Sequence, residues 1–214
     1  MILSAATAIV PFIGPDGNPL SDVSEFAKVL NFIEIMNYDI WGSWSDTVGP
    51  NAPLNDTCAA SPNQAGSAVS AVQKWQKAGI PLEKIVLGVA TYGHSFRVNK
   101  ADAFVTGSTT LLAPNPPFNA VNKPTGDSWA DAAGVDSCGN AQSAGDSVNF
   151  WGLIDLGYLN ANGSLKQGIF FRYDNCSQTV SFLLMLLIQY SPYLASRMCI
   201  MSKVKSWCRS TMLQ

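Results

Sequence analysis

The N-terminal part of the chain, as far as Tyr92, alternates strand-like and helix-like patterns, and that alternation restricts the fold more than any other feature. Residues 2–13 form an apolar, β-branched run that ends in a dense turn cluster, Gly14-Pro15-Asp16-Gly17-Asn18-Pro19. Val23, Phe26, Ala27 and Leu30 then recur at helical spacing, with Asp22 as the expected N-cap and Glu25 three residues on. A second strand is expected over Phe32 to Asp39, followed by a loop rich in Gly, Ser, Pro and Asn through Asn63. A second helix is expected over Ser67 to Ala78, with Val69, Val72 and Trp75 on one face. Gly79 takes its C′ position and Pro81 lies just beyond. The third strand is expected over Lys84 to Tyr92.

Strand, helix, strand, helix, strand is the mark of βα units and a parallel sheet. A doubly wound sheet and a barrel both satisfy it. Val86, Gly88, Ala90 and Tyr92 share one face of the third strand, and small inward-pointing residues suit a barrel filled in layers. The same parity groups Phe32, Glu34, Met36 and Tyr38, where Glu34 fits poorly. From Arg97 to Gln167 the pattern breaks at Pro114, Pro116, Pro117, Pro124 and many Gly, Asn and Ser residues, as an insertion of short strands and loops would. A helix is expected within it over Ser147 to Leu159, and a strand over Gly168 to Asp174. The chain shows no internal repeat and no nucleotide-binding glycine fingerprint.

Composition excludes several classes. With 214 residues, 47% hydrophobic and 13% charged, the chain can bury a sizeable core and is not a disordered one. A net charge of −2 leaves no basic footprint for nucleic acid. The charge is uneven: all 15 acids precede residue 180, and Arg197, Lys203, Lys205 and Arg209 are the only charges of the last 35 residues. The apolar run Val180 to Ile188 stops at Gln189, far short of the ~20 residues of a membrane span. Met1 to Val10 has no basic leading segment and reads as a buried strand rather than a signal peptide. The five cysteines (Cys58, Cys138, Cys176, Cys199, Cys208) have no C-x-x-C spacing, and His94 is the single histidine. Neither a metal nor any other cofactor is expected. Three N-glycosylation acceptor triplets begin at Asn55, Asn162 and Asn175 and, with cysteines in polar loops, lean toward the secretory route. The odd cysteine count leaves a free thiol or a partner outside this chain.

Two strand ends carry the groups that chemistry needs. One is Ile35-Met36-Asn37-Tyr38-Asp39 with Trp41-Gly42-Ser43-Trp44; the other is Val89-Ala90-Thr91-Tyr92-Gly93-His94-Ser95-Phe96. Parallel barrels place active sites at the C-terminal strand ends. Flat rings beside a carboxylate suit a sugar, whose faces stack while its hydroxyls and amides bond. The plainer reading is that the rings close a barrel mouth and Asp39 caps a loop.

The order of the motifs decides further. Met-x-Tyr-Asp at Met36 to Asp39, Trp-Gly-x-Trp at Trp41 to Trp44, Ala52-Pro53-Leu54, and Val86 to Phe96 together resemble the sixth and seventh strands of glycoside hydrolase family 18, the chitinase family. The resemblance implies a partial (β/α)8 TIM barrel of the α/β class, holding about strands five to seven and lacking strands one to four and the eighth. It divides the chain into 1–96 (partial barrel), 97–179 (an α+β insertion between strands seven and eight) and 180–214 (a divergent tail foreign to the family). Within the insertion Cys138 would have Cys176 to pair with, and Cys58 would equally have a partner outside these residues.

By the same resemblance, Tyr38 donates a hydrogen bond to the N-acetyl carbonyl of the sugar and Asp39 shapes the site. Met36 forms pocket wall, Trp41 and Trp44 are stacking candidates, and Tyr92 lines the groove. His94 stands where many members carry arginine, and a lone histidine of this kind is more often structural. The family's general acid is the Glu of an Asp-x-x-Asp-x-Asp-x-Glu motif, and its chemistry uses the substrate's own acetamido oxygen. That motif does not occur in these 214 residues. The chain therefore has no catalytic acid of its own, and Tyr38 and Asp39 have supporting roles. The partner implied is chitin or a chito-oligosaccharide, and the location extracellular. A non-catalytic chitin-binding or lectin-like protein is the alternative.

Overall fold

The computed structural model describes residues 1–184 and the backbone of 194–201. The chain divides into two compact units. The first comprises residues 1–40, 52–90 and 176–178. Its sheet has three parallel strands in the order β1 (Ser4–Thr7), β2 (Phe32–Ile35) and β3 (Ile85–Leu87). Helices α1 (Ser24–Val29) and α2 (Ala68–Lys77) form the two crossovers. Ile33, Ile35, Val23, Leu30, Ala71, Trp75, Ala78 and Ile80 make the core, with Ala5, Ile85 and Leu87 packed against it. Successive strand residues point to opposite faces. The residues of opposite parity, Ala6, Glu34 and Val86, lie side by side in the ladder, and all three are exposed. Glu34, a poor fit for a filled interior, stands in solvent.

Helix α2 follows from local chemistry. Ser67 is its N-cap: its hydroxyl accepts the Ser70 N–H at 3.2 Å, and the Ser70 hydroxyl accepts the Ser67 N–H at 2.9 Å, a reciprocal capping box. At the other end Gly79, at φ +102°, supplies the left-handed residue that lets Ile80 N–H reach Trp75 O at 3.1 Å and Gly79 N–H reach Gln76 O at 3.0 Å. The buried stripe is Ala68, Ala71, Trp75 and Ala78, while Val69 and Val72 are only half-buried at its margin. Helix α1 is shorter than its apolar spacing suggests, and Asp22 lies one residue before its N-cap, accepting the Ser24 N–H at 2.9 Å. Lys84 Nζ bonds the carbonyls of Ala27 (2.6 Å) and Leu30 (2.9 Å), satisfying acceptors at the C-terminus of α1.

The second unit comprises residues 41–51, 91–175 and 179–214. Among the described residues it holds an antiparallel sheet in the order β7-β4-β10-β9-β8, and a two-stranded ribbon. The sheet is built from β4 (Tyr92–Asn99), β7 (Ser147–Asn149), β8 (Ile169–Asp174), β9 (Thr179–Leu184) and β10 (Leu194–Met201). The ribbon is β5 (Gly134–Val135) with β6 (Ala141–Gln142). One cluster gathers Val48, Phe96, Val98, Ala103, Leu112 and Leu183; a second gathers Val148, Leu153, Tyr158, Leu159 and Phe182. Leu183 and Phe182 are sequence neighbours on β9, so the two clusters lie on opposite faces of the sheet.

Four expectations change. The run Lys84 to Tyr92 is not one strand: β3 ends at Leu87, and Tyr92 opens β4, whose partners are antiparallel. The stretch Ser147 to Leu159 is not one helix, because β7 is claimed by the β4 ladder and only α3 (Gly152–Asp155) is helical. The tail from Val180 is not foreign to the sheet over its described part, since β9 pairs β8 and β10 pairs both β9 and β4. Its remaining residues, 185–193 and 202–214, lie outside the described ones. Finally, Cys176 is bonded to Cys58, not to Cys138, with Cα atoms 5.7 Å apart. The backbone bond from Leu54 N–H to Ser177 O at 2.9 Å brings the two cysteine segments together. Cys138 is exposed and free, in a turn organised by the Asp136 carboxylate.

The cap of α2 yields a stability test. Ser67 is fully buried and also donates to Asp56 Oδ1 at 2.7 Å, so Ser67→Ala removes a cap and leaves a carboxylate oxygen short of a donor. The expected loss is about 1–2 kcal/mol, read as a lowered urea midpoint, with Ser67→Thr close to the parent.

Candidate functional site

The residues singled out from the sequence fall in both units. Met36, Tyr38 and Asp39 belong to the first; Trp41, Trp44, Tyr92 and His94 belong to the second.

In the first unit the chain leaves β2 and turns at its C-terminal end. Met36 N–H still bonds Thr7 O at 2.8 Å, and Asn37 N–H turns back to Ile35 O at 3.0 Å. Asn37 is buried, and its amide donates to Pro53 O at 3.5 Å, tying the strand end to Ala52-Pro53-Leu54. Asp39 has φ 56°, a left-handed conformation uncommon for a residue with a side chain and best tolerated by Asp and Asn. Strain of this kind gathers at binding and catalytic sites. The turn opens a cleft of about 340 Å³ lined by Ala8, Ile9, Met36, Tyr38, Asp39, Ile40 and Ala65. Met36 is 41% exposed, Tyr38 half-buried and Asp39 exposed. Gly88 makes room for the tyrosine: a Cβ there would sit 2.9 Å from Tyr38 Cε1 and 2.8 Å from Ile35 O.

In the second unit Trp41 and Trp44 have opposite fates. Trp41 is 7% exposed, its ring occupying the space that a Cβ on Gly49 would need. Trp44 is 60% exposed and lies across Gly42, so one ring face is supported by backbone. His94 is 6% exposed. Its Nδ1 lies 2.9 Å from Asp146 Oδ1, and the Trp44 and Tyr92 rings meet it edge-on at 5.3 Å and 5.9 Å. The imidazole therefore positions two aromatic rings. Lys123 Nζ approaches Asp146 Oδ2 at 3.5 Å. Burial pushes the Asp146 carboxyl up, but the hydrogen bond and charge of His94, the charge of Lys123 and the Ser43 hydroxyl together hold it below its ordinary 3.8. Asn51, 1% exposed, donates to the Tyr92 carbonyl at 2.9 Å and fixes the start of β4.

Asp146, Lys123 and Asn51 escape a reading of the sequence. Asp146 is 52 residues from His94, within the insertion, and no local pattern announces it. Asn51 precedes the Ala-Pro-Leu motif, and that adjacency was the one available signal. Among the described residues no group of three or more His, Cys, Asp or Glu side chains could hold a metal ion. No helix among them is long and apolar enough to cross a membrane.

A depressed Asp146 carboxyl makes the second unit acid-sensitive. Its contribution is fully present above the ordinary value of 3.8 and is lost as pH falls through its lower folded value. The urea midpoint should therefore drop steeply at the acid end of the range. Asp146→Asn should lower the midpoint at neutral pH and flatten that acid limb; an unchanged limb would exclude Asp146 as its source.

The family model for glycosyl hydrolases family 18 matches residues 1–182. A chitinase-like effector of Moniliophthora roreri is 60% identical over 177 residues, covering 83% of this chain and 43% of the relative. The crystal structure of a chitinase from Rhizomucor miehei superposes with a TM-score of 0.73 at 26% identity, over 94% of this chain and 50% of that one. A family 18 chitinase from Cycas revoluta, solved with (GlcNAc)3, gives a TM-score of 0.59 at 17% identity, over 94% and 44%. These structural neighbours have the TIM-barrel fold, and the chain spans no more than about half the length of the proteins it matches. The chain belongs to glycosyl hydrolase family 18.

Proposed function

We propose that this chain supplies the wall of a chitinase-like site that grips the N-acetyl group of a β-1,4-linked N-acetylglucosamine unit. The observation that carries this reading is the cleft in which Met36, Tyr38 and Asp39 converge. The Tyr38 hydroxyl donates to the acetamido carbonyl, Met36 gives an apolar wall, and Asp39 shapes the lip. Taken by itself, the second unit offers the exposed Trp44 ring for stacking on a pyranose face, with Tyr92 as a further sugar-contacting candidate. Trp41 and His94 are the remaining candidates in that unit, His94 in contact with the Trp44 and Tyr92 rings. The (GlcNAc)3 held by the Cycas revoluta chitinase favours a chito-oligosaccharide as the ligand.

The parallel strands β1, β2 and β3 correspond, in this reading, to strands five to seven of a (β/α)8 barrel. These 214 residues contain no Asp-x-x-Asp-x-Asp-x-Glu motif, so the chain by itself binds without cleaving. General acid catalysis contributes ~10²–10⁴-fold on its own. A protein in which that motif accompanies these residues would hydrolyse with retention, through the substrate's acetamido oxygen. A purely binding, lectin-like protein is the second reading, favoured by the 60% identical relative described as a chitinase-like effector. An extracellular location is part of the proposal, supported by the Cys58–Cys176 disulfide.

Calorimetric titration of the purified chain with a chito-oligosaccharide, alongside a reducing-end assay, tests both halves. Saturable binding without new reducing ends is expected. Tyr38→Phe should weaken binding about 2- to 10-fold, the worth of one hydrogen bond of ~0.5–1.5 kcal/mol. Absence of binding defeats the proposal, and release of reducing ends defeats the claim that the chain does not cleave. A full-length transcript with or without the acidic motif separates the hydrolase reading from the lectin-like one.

A further inference from the structure

We propose that Asn162 is a site of N-linked glycosylation, and that of the three acceptor triplets it is the one the fold leaves open. This rests on the secretory location proposed above. The triplet Asn162-Gly163-Ser164 forms the tip of a tight turn closed by the Leu159–Leu165 bridge. Asn160 N–H bonds Ser164 O at 2.8 Å, Gly163 N–H bonds Asn160 O at 2.8 Å, and Gly163 has φ +80°. A residue with no Cβ suits that left-handed position. All three residues of the triplet are exposed. Asn162 Oδ1 accepts the Ser164 hydroxyl at 2.7 Å and the Ser164 N–H at 3.0 Å. The amide plane is thereby held from its oxygen side, while Nδ2 bonds no group among the described residues.

The other two triplets are engaged in the fold. Asn55 makes a similar turn, its Oδ1 accepting the Thr57 hydroxyl at 3.1 Å, so turn geometry alone does not discriminate. But Asn55 is half-buried, and Asp56 is buried with its carboxylate bonded to Gly66 N–H and the Ser67 hydroxyl. The Asn55 carbonyl also faces Cys176 Sγ at 3.8 Å. At Asn175 the middle residue is Cys176, bonded to Cys58, and Ser177 is 5% exposed with its carbonyl accepting Leu54 N–H. Asn175 itself is exposed, but the other two residues of its triplet are held by the disulfide and the Leu54 bond. The turn at Asn162 can accept a large polar substituent without moving a buried group.

In the transfer, Asn162 Nδ2 attacks the anomeric carbon of the first sugar of a lipid-linked pyrophosphate oligosaccharide. The C–N bond forms, the C–O bond to pyrophosphate breaks, the lipid pyrophosphate leaves, and one amide proton passes to a base of the transferase. No electron acceptor or donor is needed.

The test uses the full chain, directed into microsomes by an added leader, with protease protection showing that it has entered. Peptide-N-glycosidase treatment in ¹⁸O water should convert residue 162 to labelled Asp, found by mass spectrometry. Asn162→Gln and Ser164→Ala should each lose the mass of one glycan, and Ser164→Thr should keep it. Asn55→Gln and Asn175→Gln should leave that glycan in place. A protected chain with no glycan at residue 162 overturns the proposal, whatever its chitin binding. Secretion of the natural gene product is a separate measurement, so failure of the location and failure of the site are told apart.

Discussion

The hydrogen bond from the Trp75 indole to the carbonyl of Ala8, at 2.9 Å, is the constraint on which the first unit turns. Trp75 is fully buried, and an indole N–H without an acceptor in such a place costs about 1–3 kcal/mol. The chain leaving β1 supplies that acceptor, which settles where α2 crosses the sheet. Phe12, four residues further on, then meets the indole edge-on at 5.0 Å and Phe26 of α1 at 4.7 Å. Three aromatic rings thus join both helices to the segment after β1. Ala8 and Ile9, held by the same bond, become one wall of the cleft whose other wall is Met36, Tyr38 and Asp39. The core and the candidate site share a residue, and disturbing the first disturbs the second.

What the sequence discloses follows the range of the interaction. Helix α2 is legible from Ser67 to Gly79 because its caps are made by residues within the helix or next to it. The Met36 to Asp39 turn is legible because its motif is contiguous. The end of β3 is not: Val86, Gly88, Ala90 and Tyr92 keep the alternation of a strand after Leu87, and only the competing antiparallel partners of Tyr92 break it. The cysteine pairing and the His94–Asp146 contact depend on segments 118 and 52 residues apart, where no local pattern speaks. The acid-free composition after residue 180 suggested a foreign tail, yet a central antiparallel strand needs apolar residues rather than carboxylates, and Phe182 and Leu183 supply them.

The candidate binding residues divide by exposure. Tyr38, Asp39, Met36 and Trp44 reach solvent, while Trp41 and His94 are buried; in the first unit Gly88 leaves room for Tyr38, and in the second His94 meets the Trp44 ring. A family motif does not make that distinction, because both kinds are written in it alike. Rings that stack on sugars need one face bare and the other supported, and the Gly42 backbone beneath Trp44 provides that support.

The Cys58–Cys176 bond closes a covalent ring around the 118-residue separation of its partners. In the chain-entropy account a loop of that length stabilises by roughly 4–5 kcal/mol. It also changes what a protease can do. A cut anywhere between the two cysteines, in the exposed turns around Val121 or Cys138 for example, opens the ring without releasing a fragment. The nicked protein would remain one covalent molecule under oxidising conditions, heavier by one water, and fall into two pieces only when a reductant reaches the sulfurs.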